Sequence, residues 1–311
     1  MDWIGKFMSI LMLFIVSLMW SFVGILVKTA ATMVSSGVIT FCRFFFGVFF
    51  LAIFIYLKDR KINLYWREKW IWIGVLGKCA NYIFENIAIA TGYAYGIILG
   101  MPLQAFFILL LTSFYFKEKI PLKNIIAVFF CLAGVFIVVW NGKPLGVLFS
   151  TNAFTTLLFT LSAMGISFHL LSQKVLINKM DSGNMNLSVF LLCSFLTAIP
   201  LPFTYKPIAI GSFAAVFSLL ALGFITGISF YIYANSLKNV PFLAAVLIPN
   251  SSVLFSLLWS RLFFNEPVTL YVTIGAILFL IGVIVINLPR DLSLLKFREK
   301  NGFLKDIREE S

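Results

Sequence analysis

Residues 116–135, FKEKIPLKNIIAVFFCLAGV, and residues 264–283, FNEPVTLYVTIGAILFLIGV, are two versions of one pattern. In each, a Glu at a polar junction precedes an apolar run, and a Gly stands sixteen residues after that Glu. The two stretches are 148 residues apart, and Leu109-Leu110 and Leu257-Leu258 obey the same offset. Pro102 comes within one position of matching Pro249. The pattern therefore predicts an internal repeat.

Apolar runs of membrane-crossing length extend outward from these two stretches through most of the chain. Its 311 residues are 61% hydrophobic and 12% charged, whereas soluble domains have roughly half and about a quarter. Unpaired backbone groups are costly in a bilayer, so such runs are expected to be helices of about 20 residues. The predicted spans are 7–27, 37–57, 70–90, 95–116, 123–140, 153–173, 187–205, 211–235, 241–263 and 268–288.

Each copy of the repeat contains five predicted spans, an odd number, so the second copy must enter the membrane from the opposite side. The predicted fold is an all-α membrane protein of ten transmembrane helices, arranged as two inverted five-helix repeats. The repeats cover 1–141 and 142–288, and 289–311 form a cytoplasmic tail. Two inverted halves can rock about a midplane site, which is a transporter architecture. Pro102 and Pro249 would loosen matching spans in that motion.

The net charge of +12 reflects topology more than a polyanionic partner. Lys and Arg stand in short loops, with eighteen on one side of the predicted spans and four on the other. The positive-inside rule then places both termini in the cytoplasm of a multi-pass protein of the cell membrane. No basic face is gathered for nucleic acid, so the expected partners are the lipid bilayer and a small-molecule substrate.

Catalytic and metal-binding patterns are not apparent in the sequence. The four cysteines lie inside apolar runs without CxxC spacing, which favours neither a disulfide framework nor a metal site. No HExxH sequence or cluster of acidic residues indicates a membrane enzyme. We therefore expect neither an enzyme nor a cofactor.

The order of several short motifs resembles the EamA branch of the drug/metabolite transporter superfamily. The motifs are Trp20-Ser21, Arg43, Glu118 to Pro121 followed by Gly134, and Glu266-Pro267 followed by Gly275 and Gly282. The resemblance covers nearly the whole chain and implies ten helices, alternating access and cytoplasmic termini. It also implies a central cavity lined chiefly by the first, third, fourth, sixth, eighth and ninth spans.

A polar stripe in the third span is the main candidate for substrate binding. Lys78, Asn81, Tyr82 and Glu85 recur at i, i+3, i+4 and i+7, so they share one face of a helix. Lys78 is a candidate partner for a carboxylate or phosphate. The alternative is that its long side chain snorkels to the cytoplasmic headgroups.

Charges inside spans usually have a partner or a function. Depth along the helices pairs Arg43 with Glu85, either as a structural ion pair or as an outer gate, and brings the single His169 to the level of Lys78. Further substrate-binding candidates are Trp20, Tyr231 and Asn250, whereas Glu118 and Glu266 are expected to cap or tether adjacent spans.

Taken together, these features predict a secondary transporter of a small metabolite that is amino-acid-like and either anionic or zwitterionic. Export, proton coupling and exchange are options that the sequence leaves open, as it does the oligomeric state. A lipid-carrier or drug flippase of the same fold is the alternative, since it would differ only in how the cavity opens. A non-transporting membrane protein is disfavoured by the buried ionisable stripe.

Overall fold

The computed structural model describes residues 3–92, 97–117, 121–142, 153–204, 212–240, 245, 248–265 and 267–287. Every regular element within these ranges is helical. The α-helices are α1 (Trp3–Ser21), α2 (Val23–Ala30), α3 (Ser36–Asp59), α4 (Lys69–Thr91), α5 (Ile97–Phe116), α6 (Leu122–Trp140), α7 (Ala153–Leu176), α8 (Ser182–Ala198), α9 (Leu201–Thr204), α10 (Phe213–Phe224), α11 (Phe230–Ser236), α12 (Ser252–Phe264) and α13 (Leu270–Asn287). A π-helical segment, Ile225–Ser229, joins α10 to α11, and a 3-10 turn, Ile248–Ser251, precedes α12.

Five helical segments within the described ranges are long and apolar enough to cross a membrane. They are Phe7–Ala30, Ser36–Asp59, Phe154–Leu176, Ser182–Phe203 and Phe213–Ser236. Shorter apolar helices occupy Leu103–Tyr115, Leu122–Val138, Phe255–Phe264 and Leu270–Gly282. α4 has 23 residues but is absent from both groups, because the polar stripe around Lys78 lowers its hydropathy. The chain is thus a multi-pass membrane protein in which every regular element of the described residues is helical.

The seventh predicted span begins earlier in the structure than the sequence indicated, at Ser182 instead of residue 187. Asp181 caps this helix, since its carboxylate accepts a hydrogen bond from the Asn184 backbone N–H at 2.9 Å. The polar residues Ser182, Asn184 and Asn186 resemble a loop in sequence, yet all three are buried. Asn184 and Asn186 make hydrogen bonds to neighbouring elements, so the helix continues through a polar stretch.

The two stretches that carry the repeat, now α6 and α13, cross each other at very close range. A methyl group added to Gly134 would collide with Gly275 O and lie 2.8 Å from Phe279 N. One added to Gly282 would lie 2.6 Å from Ala127 O and 2.9 Å from Cys131 N. A shift of 148 residues converts the first set of contacts into the second.

This crossing has local twofold symmetry. Cys131 and Phe279 are equivalent positions of the repeat, and the Cys131 thiol contacts Phe279 O at 3.7 Å. Gly134 packs near Gly275 while Ala127 packs near Gly282, so residue numbers rise along one helix as they fall along the other. α6 and α13 are therefore antiparallel, as two inverted copies require.

The packing directions of other helices agree with alternating membrane crossings. α4 and α7 cross at Gly77 and Gly165 and run antiparallel, because Gly77 approaches His169 while Gly165 approaches Asn81. α3 runs parallel to the segment from α10 to α11, since Phe50 packs on Phe224 and Phe54 packs on Tyr231 further along both. These two helix groups contribute much of the lining of the site described next.

Candidate functional site

A cavity lies among the helices of both halves and is lined by the whole predicted stripe of α4. Besides Lys78, Asn81, Tyr82 and Glu85, its lining includes Trp20, Val23, Arg43, Gly100, Gln104, Ser162, Ala163, Ile166, Ile225 and Phe230. The cavity has a volume of about 60 Å³, which is room for about four waters. Its lining comes from the first, second, third, fourth, sixth and eighth predicted spans.

Lys78 points into the protein and not toward the membrane surface. Its side chain is 1% exposed, so the alternative in which it snorkels to the headgroups is wrong. The ammonium nitrogen donates a hydrogen bond to Asn81 Oδ1 at 2.9 Å. It also lies 3.9 Å from the ring centroid of Tyr82 and 3.8 Å from that of Phe230. Two aromatic faces and one amide therefore stabilise this buried cation.

Asn81 connects the Lys78 ammonium to the other half of the protein. Its amide Nδ2 donates to Ser162 Oγ of α7 at 2.8 Å, while its Oδ1 accepts from Lys78. The bond to Ser162 spans the close crossing of α4 and α7 at Gly77 and Gly165. Asn81 thus couples the Lys78 ammonium to α7.

The predicted contact between Arg43 and Glu85 is present, and it has a third member. Arg43 Nη1 donates to Glu85 Oε1 at 2.7 Å and to Asn86 Oδ1 at 2.7 Å. Asn86 in turn donates to Thr40 Oγ1 at 2.8 Å. The side chain of Arg43 is 3% exposed and that of Glu85 is 13% exposed, so the carboxylate retains more access to the cavity.

Arg43 also retains unused hydrogen-bonding capacity. Its Nε is buried without a hydrogen-bond partner among the described residues. Unmatched buried donors of this kind are uncommon and are satisfied by water or a ligand where a cavity adjoins them. The Arg43 guanidinium is therefore able to donate a hydrogen bond to one more anionic or carbonyl oxygen.

Tyr82 lies between the two cations of the cavity. The guanidinium carbon of Arg43 is 3.4 Å from the Tyr82 ring centroid, and the Lys78 ammonium is on the same ring at 3.9 Å. The Tyr82 and Thr226 hydroxyls share a hydrogen bond of 3.0 Å. One side chain thus joins both cations to the π-helical segment of the second half.

The π-helical segment Ile225–Ser229 forms the facing wall. π-bulges break the regular hydrogen-bond ladder and often occur at functional sites. Here the segment presents Thr226 to Tyr82 and Ser229 to Trp20, whose indole N–H donates to Ser229 Oγ at 2.7 Å. Phe230 follows at once and packs on Trp20 with ring centroids 5.1 Å apart. The sequence contained no signal for this segment, because no Pro interrupts it.

His169 lies behind the cavity wall and does not line it. Its Nδ1 faces Gly74 O at 3.2 Å, so Nδ1 carries the proton and Nε2 accepts from Gln173 Nε2 at 3.1 Å. Gln173 also donates to Asn186 Oδ1 at 2.6 Å, and Asn186 donates to Phe230 O at 3.2 Å. This buried chain fixes a neutral imidazole and ties α4, α7, α8 and α11 together.

The remaining predicted residues lie elsewhere or outside the described residues. Tyr231 accepts a hydrogen bond from Lys58 Nζ at 2.9 Å and does not line the cavity. Asn250 and Pro249 belong to the 3-10 turn before α12, and Pro102 lies within α5. Glu118, Glu266 and the tail 289–311 fall outside the described residues. Sequence reasoning missed Gln104, Ser162, Asn86 and Phe230, because uncharged residues give no depth-based signal that they have a partner.

Comparisons with known proteins agree with this architecture. The model of the EamA-like transporter family matches the chain twice, over residues 7–140 and 153–288. A solved structure described only as the crystal structure of a protein shares 19% sequence identity and a TM-score of 0.69, covering 89% of this chain and 97% of its own. That likeness concerns the fold alone. Among curated proteins, none matches. The two family matches, which together span most of the sequence, show that this chain belongs to the EamA-like transporter family.

Proposed function

We propose that this chain is a secondary transporter that binds a small anionic or zwitterionic metabolite in the cavity beside Lys78. The observation that supports this proposal is the set of charged groups in the cavity. Among the described residues that line it, Lys78 and Arg43 face a single carboxylate, Glu85. Such an arrangement leaves one cation to be matched by the carboxylate of an amino-acid-like substrate. Glu85 would then receive a substrate ammonium if the substrate is zwitterionic.

The mechanism that fits this site is alternating access between two inverted five-helix halves. Both halves contribute to the cavity, since Tyr82 and Thr226 are 144 positions apart and meet at 3.0 Å. Relative movement of the halves would therefore change the cavity directly. The charged groups of the lining, Lys78, Arg43 and Glu85, support a soluble charged metabolite over the flippase alternative.

Transport by reconstituted protein tests the site assignment. A panel of amino acids and small carboxylates is assayed in proteoliposomes, with and without a pH gradient, for wild type, Lys78→Gln and Lys179→Gln. Loss of one charge-assisted hydrogen bond of about 1.5–3 kcal/mol corresponds to a fall of about 10- to 150-fold in kcat/KM. Lys179, which is exposed, supplies the matched control. Unchanged transport in Lys78→Gln would reject the site.

A second variant separates the two substrate classes. Glu85→Gln should reduce transport of a zwitterion by a similar factor, because the substrate ammonium loses its partner. Transport of a simple carboxylate should be retained or improved, since the competing internal anion has been removed. A membrane protein that transports nothing from the panel in either direction would contradict the proposal.

The proposed orientation has both termini in the cytoplasm of the cell membrane. Exposed Thr32, between α2 and α3, and exposed Lys61, between α3 and α4, lie on opposite predicted sides. In a variant without cysteines, Thr32→Cys should react with an impermeant maleimide added to intact cells, whereas Lys61→Cys should react only after the cells are opened. The reverse pattern would invert the topology.

A further inference from the structure

The segment from Arg60 to Lys69 joins α3 to α4 and is held in an extended form against the bundle. The backbone N–H of Asn63 donates to Asn184 Oδ1 at 2.8 Å, and that of Tyr65 donates to Ser188 Oγ at 2.9 Å. Asn184 and Ser188 are both buried on α8. The carbonyl of Trp66 accepts from the Trp72 indole N–H at 2.8 Å. Three fixed hydrogen bonds therefore define which way this short segment faces.

The alternation of an extended chain then directs one set of side chains outward. Residues two apart share a face in extended backbone; Asn63 and Tyr65 are half-buried, and the intervening side chains turn out. Ile62, Leu64 and Trp66 are 42%, 50% and 66% exposed. These are large apolar side chains on a segment that the bundle has no means of covering. Their exposure is a consequence of the clamp and not of local disorder.

Cations flank this apolar row on both sides. Arg60, Lys61, Arg67 and Lys69 are all exposed, with Glu68 as the one acidic residue within the segment. Apolar and aromatic side chains beside Lys and Arg are typical of surfaces that lie in the headgroup region of a bilayer. α3 ends at Asp59 and α4 begins at Lys69, so the segment lies where two spans leave the membrane.

We propose that residues 60–69 form a lipid-binding strip that selects lipids with anionic headgroups. Ile62, Leu64 and Trp66 insert at the boundary of headgroups and acyl chains, while Arg60 and Lys61 contact the phosphate and its surplus negative charge. Because Asn184 and Ser188 hold the strip rigid, the site exists before the lipid binds. Charge complementarity identifies the occupant as an anionic lipid, and the strip lies apart from the cavity beside Lys78.

Thermal unfolding of the purified full chain in mild detergent tests the strip. Phosphatidylglycerol should raise the apparent Tm by about 3–5 °C, and phosphatidylcholine with the same acyl chains should not. Each cation near an anionic surface contributes about fivefold in affinity. The double variant R60Q/K61Q should therefore lose most of the shift produced by phosphatidylglycerol.

A charge-matched control distinguishes binding at the strip from the general attraction of a positively charged protein surface to anionic lipid. Lys179 and Lys238 are exposed residues on the same predicted side, so K179Q/K238Q removes equal charge and should retain the wild-type shift. An equal loss of the Tm shift in both double variants would overturn the proposal, and so would equal Tm shifts with the two lipids. An equal Tm shift with glycerol 1-phosphate, or a dimer that forms through the strip without lipid, would also overturn it. If R60Q/K61Q does not fold, R67Q serves as a milder variant. It should lose a smaller part of the Tm shift produced by phosphatidylglycerol, and an unchanged shift would count against the strip.

Discussion

Replacing Gly77 by Ala should disturb the site without touching any side chain that lines the cavity. A methyl group at Gly77 would lie 2.6 Å from Gly165 O, 3.0 Å from His169 N and 3.1 Å from Phe168 Cβ. None of these atoms can rotate away. An ordinary contact begins at 3.4 Å, so the crossing of α4 and α7 must widen by about 0.8 Å, the difference between 3.4 and 2.6 Å.

The energetic cost follows from that displacement. Overpacking costs about 1–3 kcal/mol, and the better helix propensity of Ala offsets about 1 kcal/mol. A net loss of up to about 2 kcal/mol is expected, or up to about 3 °C in Tm for a chain of 311 residues. The hydrogen bond of 2.8 Å between Asn81 and Ser162 crosses the same interface and should lengthen beyond useful range. Substrate affinity should therefore fall together with stability.

Gly37→Ala is the matched control for this experiment. The nearest atom to a methyl group there is Leu201 Cδ2 at 3.9 Å, which is an ordinary contact, so its Tm should be unchanged or slightly higher. Thermal unfolding in one detergent and substrate binding to the purified variants supply the two readouts. Equal Tm values for the two variants, or a destabilised Gly77→Ala that binds substrate as wild type does, would refute the reasoning.

Three further substitutions probe the network around the cavity by thermal unfolding. Glu85→Ala leaves the buried Arg43 charge without its anion and should lower the free energy of unfolding by about 3–5 kcal/mol. The double variant Arg43→Met/Glu85→Met should lower it by less. Additive losses would argue against a coupled pair. Tyr82→Phe keeps the ring and removes only the hydrogen bond to Thr226, so it should cost about 1 kcal/mol, and a neutral result would mean that the bond contributes nothing. Asn186→Ala removes three hydrogen bonds from a buried chain and should cost about 1–3 kcal/mol, with an unchanged Tm counting against that chain.

The contact between Arg43 and Glu85 was predictable because it depends on depth alone. Two helices that are neighbours in sequence and antiparallel bring residues at equal depth to the same level, and a buried charge requires a partner. The same depth count put His169 level with Lys78, and both do pack on Phe230. It could not show that Lys78 lines the cavity and His169 does not. Depth along a helix axis carries no information about rotation around it.

Tyr231 is a second residue whose rotation around the helix axis could not be predicted from the sequence. Its place in the eighth predicted span made it a candidate for the cavity, but its hydroxyl accepts from Lys58 at 2.9 Å instead. The adjacent Phe230 lines the cavity. The irregular π-helical segment that precedes both residues changes the rotation of everything after it. A helical wheel drawn for a regular helix would assign the two faces wrongly.

The repeat, the helical class and the family resemblance were determined by the sequence itself, because hydropathy, residue spacing and an offset of 148 positions are properties of the linear chain. The tertiary structure alone decided which polar side chains meet. Trp20 contacts Ser229 across 209 positions and Asn81 contacts Ser162 across 81. The second contact depends on the glycine crossing of α4 and α7, which is fixed by backbone atoms of two helices at once. The Lys78 stripe could therefore be predicted as a polar face, but the residues of other helices that meet it, Ser162 and Phe230, could not.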